Sequence, residues 1–279
     1  MKTFYAKGNK LSEEITEYFK GVVSYSFANK LIRKKDVKLN GVRVKTDQKT
    51  CLGDKIEVYY DGVDNRANKV LFSDENILVV YKPTGITSED FYALVKSKYK
   101  TAGFIHRLDQ NTDGIMVFSL NETAEKELLL GFKNRDFAKF YLAEVYGEFE
   151  KSCDELVAYL QKDAQKSQVK IFDRPTVGAD RIVTKYKVLK SSVETSRVEV
   201  ELVTGKTHQI RAHLASVGHF IIGDGKYGNE QLNRKFHAKK QRLTAYRFVF
   251  KFGRNQNLYY LNGKEFILDK IWWINEDGK

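Results

Sequence analysis

Cysteine is nearly absent: the 279 residues contain two, Cys51 and Cys153. Two thiols make neither a disulfide framework nor a thiolate metal site. Neither stands beside a histidine or basic cluster of the kind that activates a catalytic thiolate. No apolar run approaches the roughly 20 residues of a membrane-spanning helix, and residues 1–10 lack the apolar segment of a secretory signal. The expectation is therefore a cytoplasmic protein with no membrane association. A full phosphate-binding loop is also missing. Gly205-Lys206-Thr207 has the form of its last three residues, but the position five before Gly205 is Val200, so the glycine-rich pattern is incomplete. His208 and His213 are five apart on a proposed helix, which turns them to different faces, and no cysteine or carboxylate nearby completes a ligand set. Thiol, nucleotide and metal chemistry are all weak readings.

Basic residues are abundant. Lys and Arg number 48 against 36 Asp and Glu, a net charge of +12. Such an excess favours a polyanionic partner, nucleic acid first and an anionic membrane surface second. The apolar fraction of 42% is that of a globular chain, and the length suffices for one large domain and a small one.

Residues 1–60 read as a small separate unit. Leu11, Ile15, Tyr18 and Phe19 lie on one face of a helix over residues 11–19, with Ser12 as N-cap. A second helix over residues 26–34 turns Phe27, Leu31 and Ile32 inward and Lys30, Arg33, Lys34 and Lys35 outward. Asn40-Gly41 between apolar residues marks a hairpin over residues 37–44, and Gly53-Asp54 turns the chain into a strand over residues 55–60. This pattern resembles the small alpha-L RNA-binding module of a ribosomal small-subunit protein and of tyrosyl-tRNA synthetases, although Phe27 stands where that family often has a basic residue. Residues 61–69 are polar and serve as a linker. From residue 70 to 279 strands arrive in runs rather than in regular βαβ units. Strand pairs flank Ser73-Asp74-Glu75-Asn76, Ser88 caps a helix bearing Phe91, Leu94 and Val95, Asn121 caps another through Leu130, and residues 138–149 and 197–203 alternate as strands. The fold expected is α+β, with a mixed, mostly antiparallel sheet and flanking helices.

Within this region His106-Arg107-Leu108-Asp109, the polar turn Gln110 to Asp113, and the apolar run from Ile115 to Phe118 place a carboxylate at the mouth of a buried strand. Burial favours the neutral acid and a contacting arginine favours the carboxylate, so an Asp–Arg pair meets the need of a nucleophile that must stay ionised in a partly dry site. Arg211 is the candidate partner. Thr207 as N-cap, Gly218 as terminal glycine and the stripe Ile210, Leu214, Val217 define a helix that puts Arg211 at the edge of its buried face, where a guanidinium can grip a carboxylate at two points. Tyr141, on a strand with Ala143 and Val145, offers a ring on which a base removed from its helix can stack.

Three motifs in order resemble those of the RluA-type pseudouridine synthases: His106 to Asp109, Lys139-Phe140-Tyr141-Leu142-Ala143-Glu144-Val145-Tyr146-Gly147, and Gly205-Lys206-Thr207-His208-Gln209-Ile210-Arg211-Ala212-His213-Leu214. Val79-Val80-Tyr81-Lys82-Pro83-Thr84-Gly85 resembles the family's opening motif, and Gly223-Asp224 with Tyr227-Gly228 its later part. The resemblance implies RNA as partner, no cofactor, no metal and no obligate protein partner. It implies Asp109 as nucleophile, Arg211 as its partner, Tyr141 stacked on the target base, and Arg107 filling the space left by the flipped nucleotide beside His106. Phosphate contacts would come from Lys30, Arg33 and Lys34 and from Lys235, Lys239 and Lys240. Asp113 stands where the family usually has serine, and Phe220 where it often has proline. Two other readings stay open: a non-catalytic RNA-binding protein on the same scaffold, and a glycosidase-like hydrolase, which needs a second carboxylate that Asp113 alone offers.

Overall fold

The computed structural model describes residues 1–19, 23, 25–60, 69–163 and 168–274. The proposed linker, residues 61–69, lies outside the described residues except for Lys69.

The N-terminal unit runs β1 (Lys2–Tyr5), α1 (Leu11–Tyr18), α2 (Tyr25–Arg33), β2 (Val37–Leu39), β3 (Val42–Arg43) and β4 (Lys55–Val58). Its four strands form one antiparallel sheet in the order β1-β4-β2-β3. Asn40 and Gly41 both have positive φ, 50° and 81°, as the tight turn from β2 to β3 requires. Leu11, Ile15, Leu31 and Ile32 are buried under the helices as the apolar spacing demands. Ser12 does not cap α1. Lys10 holds that position, and Ser12 instead gives its backbone N–H (2.9 Å) and its hydroxyl (2.6 Å) to the Asp47 carboxylate. A carboxylate from 35 residues away outcompetes the local cap because it accepts both donors at once. Lys30 is half-buried rather than outward, and its ammonium donates to the carbonyl of Gly85 in the larger unit.

The larger unit continues as β5 (Val70–Ser73), β6 (Ile77–Lys82), α3 (Ser88–Lys98), β7 (Gly103–Phe104), β8 (Asp113–Ser119), α4 (Glu122–Asn134), β9 (Phe137–Tyr146), β10 (Cys153–Asp163), β11 (Gln168–Phe172), β12 (Asp180–Ser191) and β13 (Thr195–Leu202). It ends with α5 (Gln209–Ser216), α6 (Glu230–Lys235), β14 (Leu243–Phe250), a 3-10 turn at Asn257–Leu261, and β15 (Glu265–Ile267). Eleven strands make one sheet, in the order β11-β10-β12-β13-β9-β14-β8-β6-β5, with β7 on β8 and β15 on β14. Among the described residues every pairing is antiparallel except β14 with β8, so the expected α+β class with a mixed, mostly antiparallel sheet is what forms.

Central strands are covered on both faces. Leu78, Val80, Met116 and Phe118 pack into one core, while Ile77, Val79, Ile115 and Val117 pack into the other. A strand buried on both sides loses the polar alternation of a surface strand, which is why 115–118 is an unbroken apolar run. Asn121 caps α4 through Ala124 N–H (2.9 Å), and α4 runs past Leu130 to Asn134, where Arg135 turns left-handed (φ 66°). Thr87, not Ser88, caps α3.

Gly114 sits where β8 meets β14. Its φ is 132°, and a Cβ there would lie 2.2 Å from the Ala245 carbonyl oxygen. Backbone is the obstacle, so relaxation is costly. We expect Gly114→Ala to lower stability by about 3 kcal/mol or more, at or above the usual overpacking range, read as a fall in the thermal and urea midpoints against wild type.

Candidate active site

Asp109 lies in the loop between β7 and β8, and that loop is bound along its length by the segment that follows β6. Ser88 Oγ accepts from Leu108 N–H and donates to Leu108 C=O, both at 2.8 Å. Gly85 N–H donates to Gln110 C=O (2.7 Å) and Thr84 Oγ1 to Asn111 C=O (3.0 Å). Beneath them the fully buried Lys82 donates to Ile86 C=O (2.9 Å) and Pro83 C=O (3.1 Å), and burial pulls its ammonium down to about 7. On the far side Val117 N–H donates to His106 Nε2 at 3.0 Å. Ser88 is thus freed from capping because its hydroxyl grips the backbone next to Asp109.

Arg211 comes from α5. The helix is preceded by His208 in left-handed conformation (φ 55°), so Thr207 does not cap it, and Val217 is exposed rather than part of the stripe. Ile210 and Leu214 are buried as expected, and Gly218 (φ 89°) ends the helix, with His219 N–H donating to Leu214 C=O at 2.9 Å. Arg211 is only 6% exposed. Its two-point grip falls on Asp224, with Nε to Oδ2 at 2.7 Å and Nη2 to Oδ1 at 2.9 Å; its remaining Nη1 donates to Asp109 Oδ2 at 2.8 Å. Asp224 Oδ1 also accepts Lys226 N–H (2.8 Å) and Tyr227 N–H (3.1 Å). The Arg211 guanidinium lies 5.2 Å from the centre of the Tyr227 ring. Burial alone would raise the Asp224 carboxyl, but the hydrogen bonds and charge of Arg211 outweigh it and hold the group below its ordinary value. For Arg211 the same pairing overcomes burial and raises its affinity for its proton.

These groups meet at a cleft of about 260 Å³ lined by Arg107, Asp109, Tyr141, His208, Arg211 and Leu243, among others. The Asp109 side chain is 19% exposed, enough to be reached from the cleft. Tyr141 lies on β9, between Val200 of β13 and Ala245 of β14, and burial, with the charge of Asp109 added, keeps its phenol protonated. His208 Nδ1 is 2.8 Å from the Tyr227 hydroxyl, and its Nε2 is 4.0 Å from Asp109; burial lowers its pKa and Asp109 pushes the other way.

Other residues singled out in the sequence fall at different places. His106 is stacked on Phe132 (4.8 Å, 17°), and burial, with nearby Lys139, pushes it down to about 3. Its ring is neutral and carries no charge to RNA. Arg107 is exposed at the rim, 3.6 Å from Glu89. Lys30, Lys34, Lys239 and Lys240 line a common crevice of about 560 Å³ together with Gly85 and Asn111. Arg33 is exposed on α2 outside it, and Lys235 is paired with Glu194. Asp113 is buried away from the Asp109 cleft, bonded by the hydroxyls of Tyr81 and Thr244 (2.8 Å for the latter), and burial raises its carboxyl. Two participants escaped the sequence reading of the site: Asp224, signalled only by Gly223-Asp224, and Ser88, whose capping position suggested another use.

The family model for RNA pseudouridylate synthase matches residues 76–216, a span that contains Asp109, Tyr141 and Arg211. The chain belongs to the RNA pseudouridylate synthase family. The ribosomal large subunit pseudouridine synthase C of Vibrio vulnificus is 27% identical over 258 residues, 80% of this chain and 81% of that protein. The dual-specificity RNA pseudouridine synthase RluA of Haemophilus influenzae is 34% identical over 172 residues, 58% of this chain and 78% of that one. The enzyme is therefore an RluA-type isomerase. Among solved structures, human RNA pseudouridylate synthase domain containing 1 shares the fold, with a TM-score of 0.59 at 23% identity over 67% of this chain and 80% of that one. Among the described residues no helix is long and apolar enough to cross a membrane.

Asp224 makes a measurable demand on stability. Asp224→Asn removes one of two charges from a buried pair, so we expect a loss of about 3 kcal/mol at neutral pH. The folded carboxyl lies below its unfolded value of about 3.9. The wild-type advantage is therefore complete above that pH and disappears as pH falls through the lower folded value, which urea titrations of both proteins from pH 7 to pH 2.5 will follow.

Proposed function

We propose that the enzyme isomerises uridines of large-subunit ribosomal RNA in the cytoplasm, with Asp109 as nucleophile on a nucleotide flipped out of its helix. The observation that carries the reading is the 2.8 Å hydrogen bond from Arg211 to Asp109 at a cleft walled by Tyr141. Arg211 holds Oδ2 and no hydrogen bond among the described residues engages Oδ1, so one oxygen is held and the other is available to the nucleoside. A space of about 260 Å³ suits one nucleoside and not a paired duplex, which requires the target to leave the stack. Tyr141 stacks on the uracil, and Arg107, exposed at the rim, fills the gap in the RNA.

In the overall reaction the bond from N1 to C1′ breaks and one from C5 to C1′ forms. The proton on C5 is lost and N1 ends protonated, so the product is an isomer. Asp109 opens this sequence by attack on the nucleoside, at the sugar or at the base ring. No external reagent is consumed. The hydrolase reading loses its second carboxylate, since Asp113 faces Tyr81 and Thr244 and Asp224 is committed to Arg211. Ribosomal RNA is favoured by the names of the relatives that span about four-fifths of the chain. The N-terminal unit acts as the alpha-L RNA-binding module. Its Lys30 and Lys34 share a crevice with Lys239 and Lys240, so phosphates lying there contact both units, and one chain suffices.

Purified Asp109→Asn, incubated with large-subunit RNA from cells lacking the enzyme, should form pseudouridine at least about a thousandfold more slowly than wild type, as expected when a nucleophile is removed. Retention of wild-type rates by Asp109→Asn would overturn the assignment of the nucleophile.

A further inference from the structure

Lys139 has an environment that the reaction at Asp109 does not explain. It lies two residues before Tyr141 on β9, its ammonium is 5.0 Å from the centre of the Phe132 ring, and it lines the Asp109 cleft. Burial pulls its pKa down to about 8, and no neighbouring acid offsets that pull. Lys139 is half-buried, and a partly desolvated ammonium without a carboxylate is costly in a folded protein.

The same residue lines a second cleft, of about 380 Å³, which Phe132 also borders. Phe132, Lys139, Leu202, Gly205 and Lys206 border both spaces, so the two adjoin. Its other charged walls are Lys133 and Arg135 at the end of α4, and Asp180 and Arg181 at the start of β12. The one acid, Asp180, is engaged by Lys206 at 2.8 Å. Among the described residues no carboxylate lies within ion-pair distance of Lys133, Arg135, Lys139 or Arg181. Four cations from three elements thus line one groove whose single acid is already paired with Lys206, and the groove adjoins the catalytic cleft at Lys139.

We propose that this groove binds the phosphates of the RNA strand next to the target uridine, with Lys139 contacting the phosphate closest to the catalytic cleft. The inference rests on the reading of RNA as substrate and adds a strand path that is separate from the crevice at the N-terminal unit. Lys139 supplies the partly dry contact, where a phosphate replaces lost hydration. Lys133, Arg135 and Arg181 are exposed and supply the salt-sensitive part.

The test compares Lys139→Gln, Lys139→Arg, Arg135→Gln and Arg181→Gln with Lys187→Gln. Lys187 is exposed on β12, six residues from Arg181, about 20 Å at the strand rise of roughly 3.3 Å per residue. KM and kcat are measured on the RNA substrate, and the affinity for a single-stranded oligonucleotide of that sequence is measured separately across a salt series. Each groove variant should raise KM by roughly five- to tenfold, the upper part of the range for an ordinary hydrogen bond, and flatten the salt slope by about 0.7. Lys139→Arg should restore most of the loss, and Lys187→Gln should match wild type. Arg135 and Arg181 are exposed, so their variants fold even if Lys139→Gln does not. The proposal is overturned if Arg135→Gln, Arg181→Gln and any folded Lys139 variant keep the KM, oligonucleotide affinity and salt slope of Lys187→Gln. If wild type forms no pseudouridine, the catalytic reading fails by itself, and the binding isotherms still decide whether the groove holds RNA.

Discussion

One guanidinium shared by two carboxylates organises the centre of this molecule. Arg211 is locked in orientation by Asp224, which is locked in turn by two backbone N–H groups of its own turn. Only then does the third face of the guanidinium reach Asp109. Removing Arg211 would leave Asp224 buried without a partner, and removing Asp224 would leave Arg211 free to rotate. Either change would leave Asp109 in place but poorly held. A bidentate grip on a rigid carboxylate followed by a single contact to a more exposed one is a division that lysine, with its point charge, has no geometry to reproduce.

Two other constraints converge on the same carboxylate. The segment after β6 fastens the backbone on both sides of Asp109 through Ser88, Gly85 and Thr84, and Lys82 fastens that segment from below. The sheet places Tyr141 on β9, with β13 and β14 at either side. Loop, helix and strand therefore approach the cleft from three directions. The basic surface serves a different purpose: its charges stand mostly apart from the tight ion pair, where they attract phosphate without competing for Asp109.

Much of this was legible from residue order. Unbroken apolar runs gave the doubly covered strands, Asn40-Gly41 gave the hairpin, and the clustering of strands gave an α+β sheet. Asp109 could be singled out at the junction of a polar turn and an apolar strand, Arg211 at the edge of a buried helix face, and Tyr141 as an aromatic ring within the strand that resembles the family's second motif. What escaped were the tertiary choices. Ser12, Ser88 and Thr207 all have the chemistry of a helix cap, yet Ser12 serves Asp47, Ser88 serves Leu108, and His208 takes the turn before α5. A local rule ranks local partners and is blind to a better acceptor brought in by folding. Asp224 escaped for a related reason: an aspartate after a glycine reads as a turn, and its second function exists only once α5 lies against it. His106 was expected at the RNA beside Arg107, but it packs on Phe132 and accepts from Val117 N–H.

The place of β14 in the sheet has a consequence for biosynthesis. This strand, Leu243–Phe250, is inserted between β8 and β9, which precede it by about a hundred residues or more. Asp109 leads into β8 and Tyr141 lies on β9, so a nascent chain that already carries Asp109, Tyr141 and Arg211 still lacks the strand that sets their spacing. Pairing at such sequence separation closes late and slowly. The growing polypeptide would thus pass through a long interval with an RNA-attracting surface and no working centre, until the ribosome has released some 250 residues.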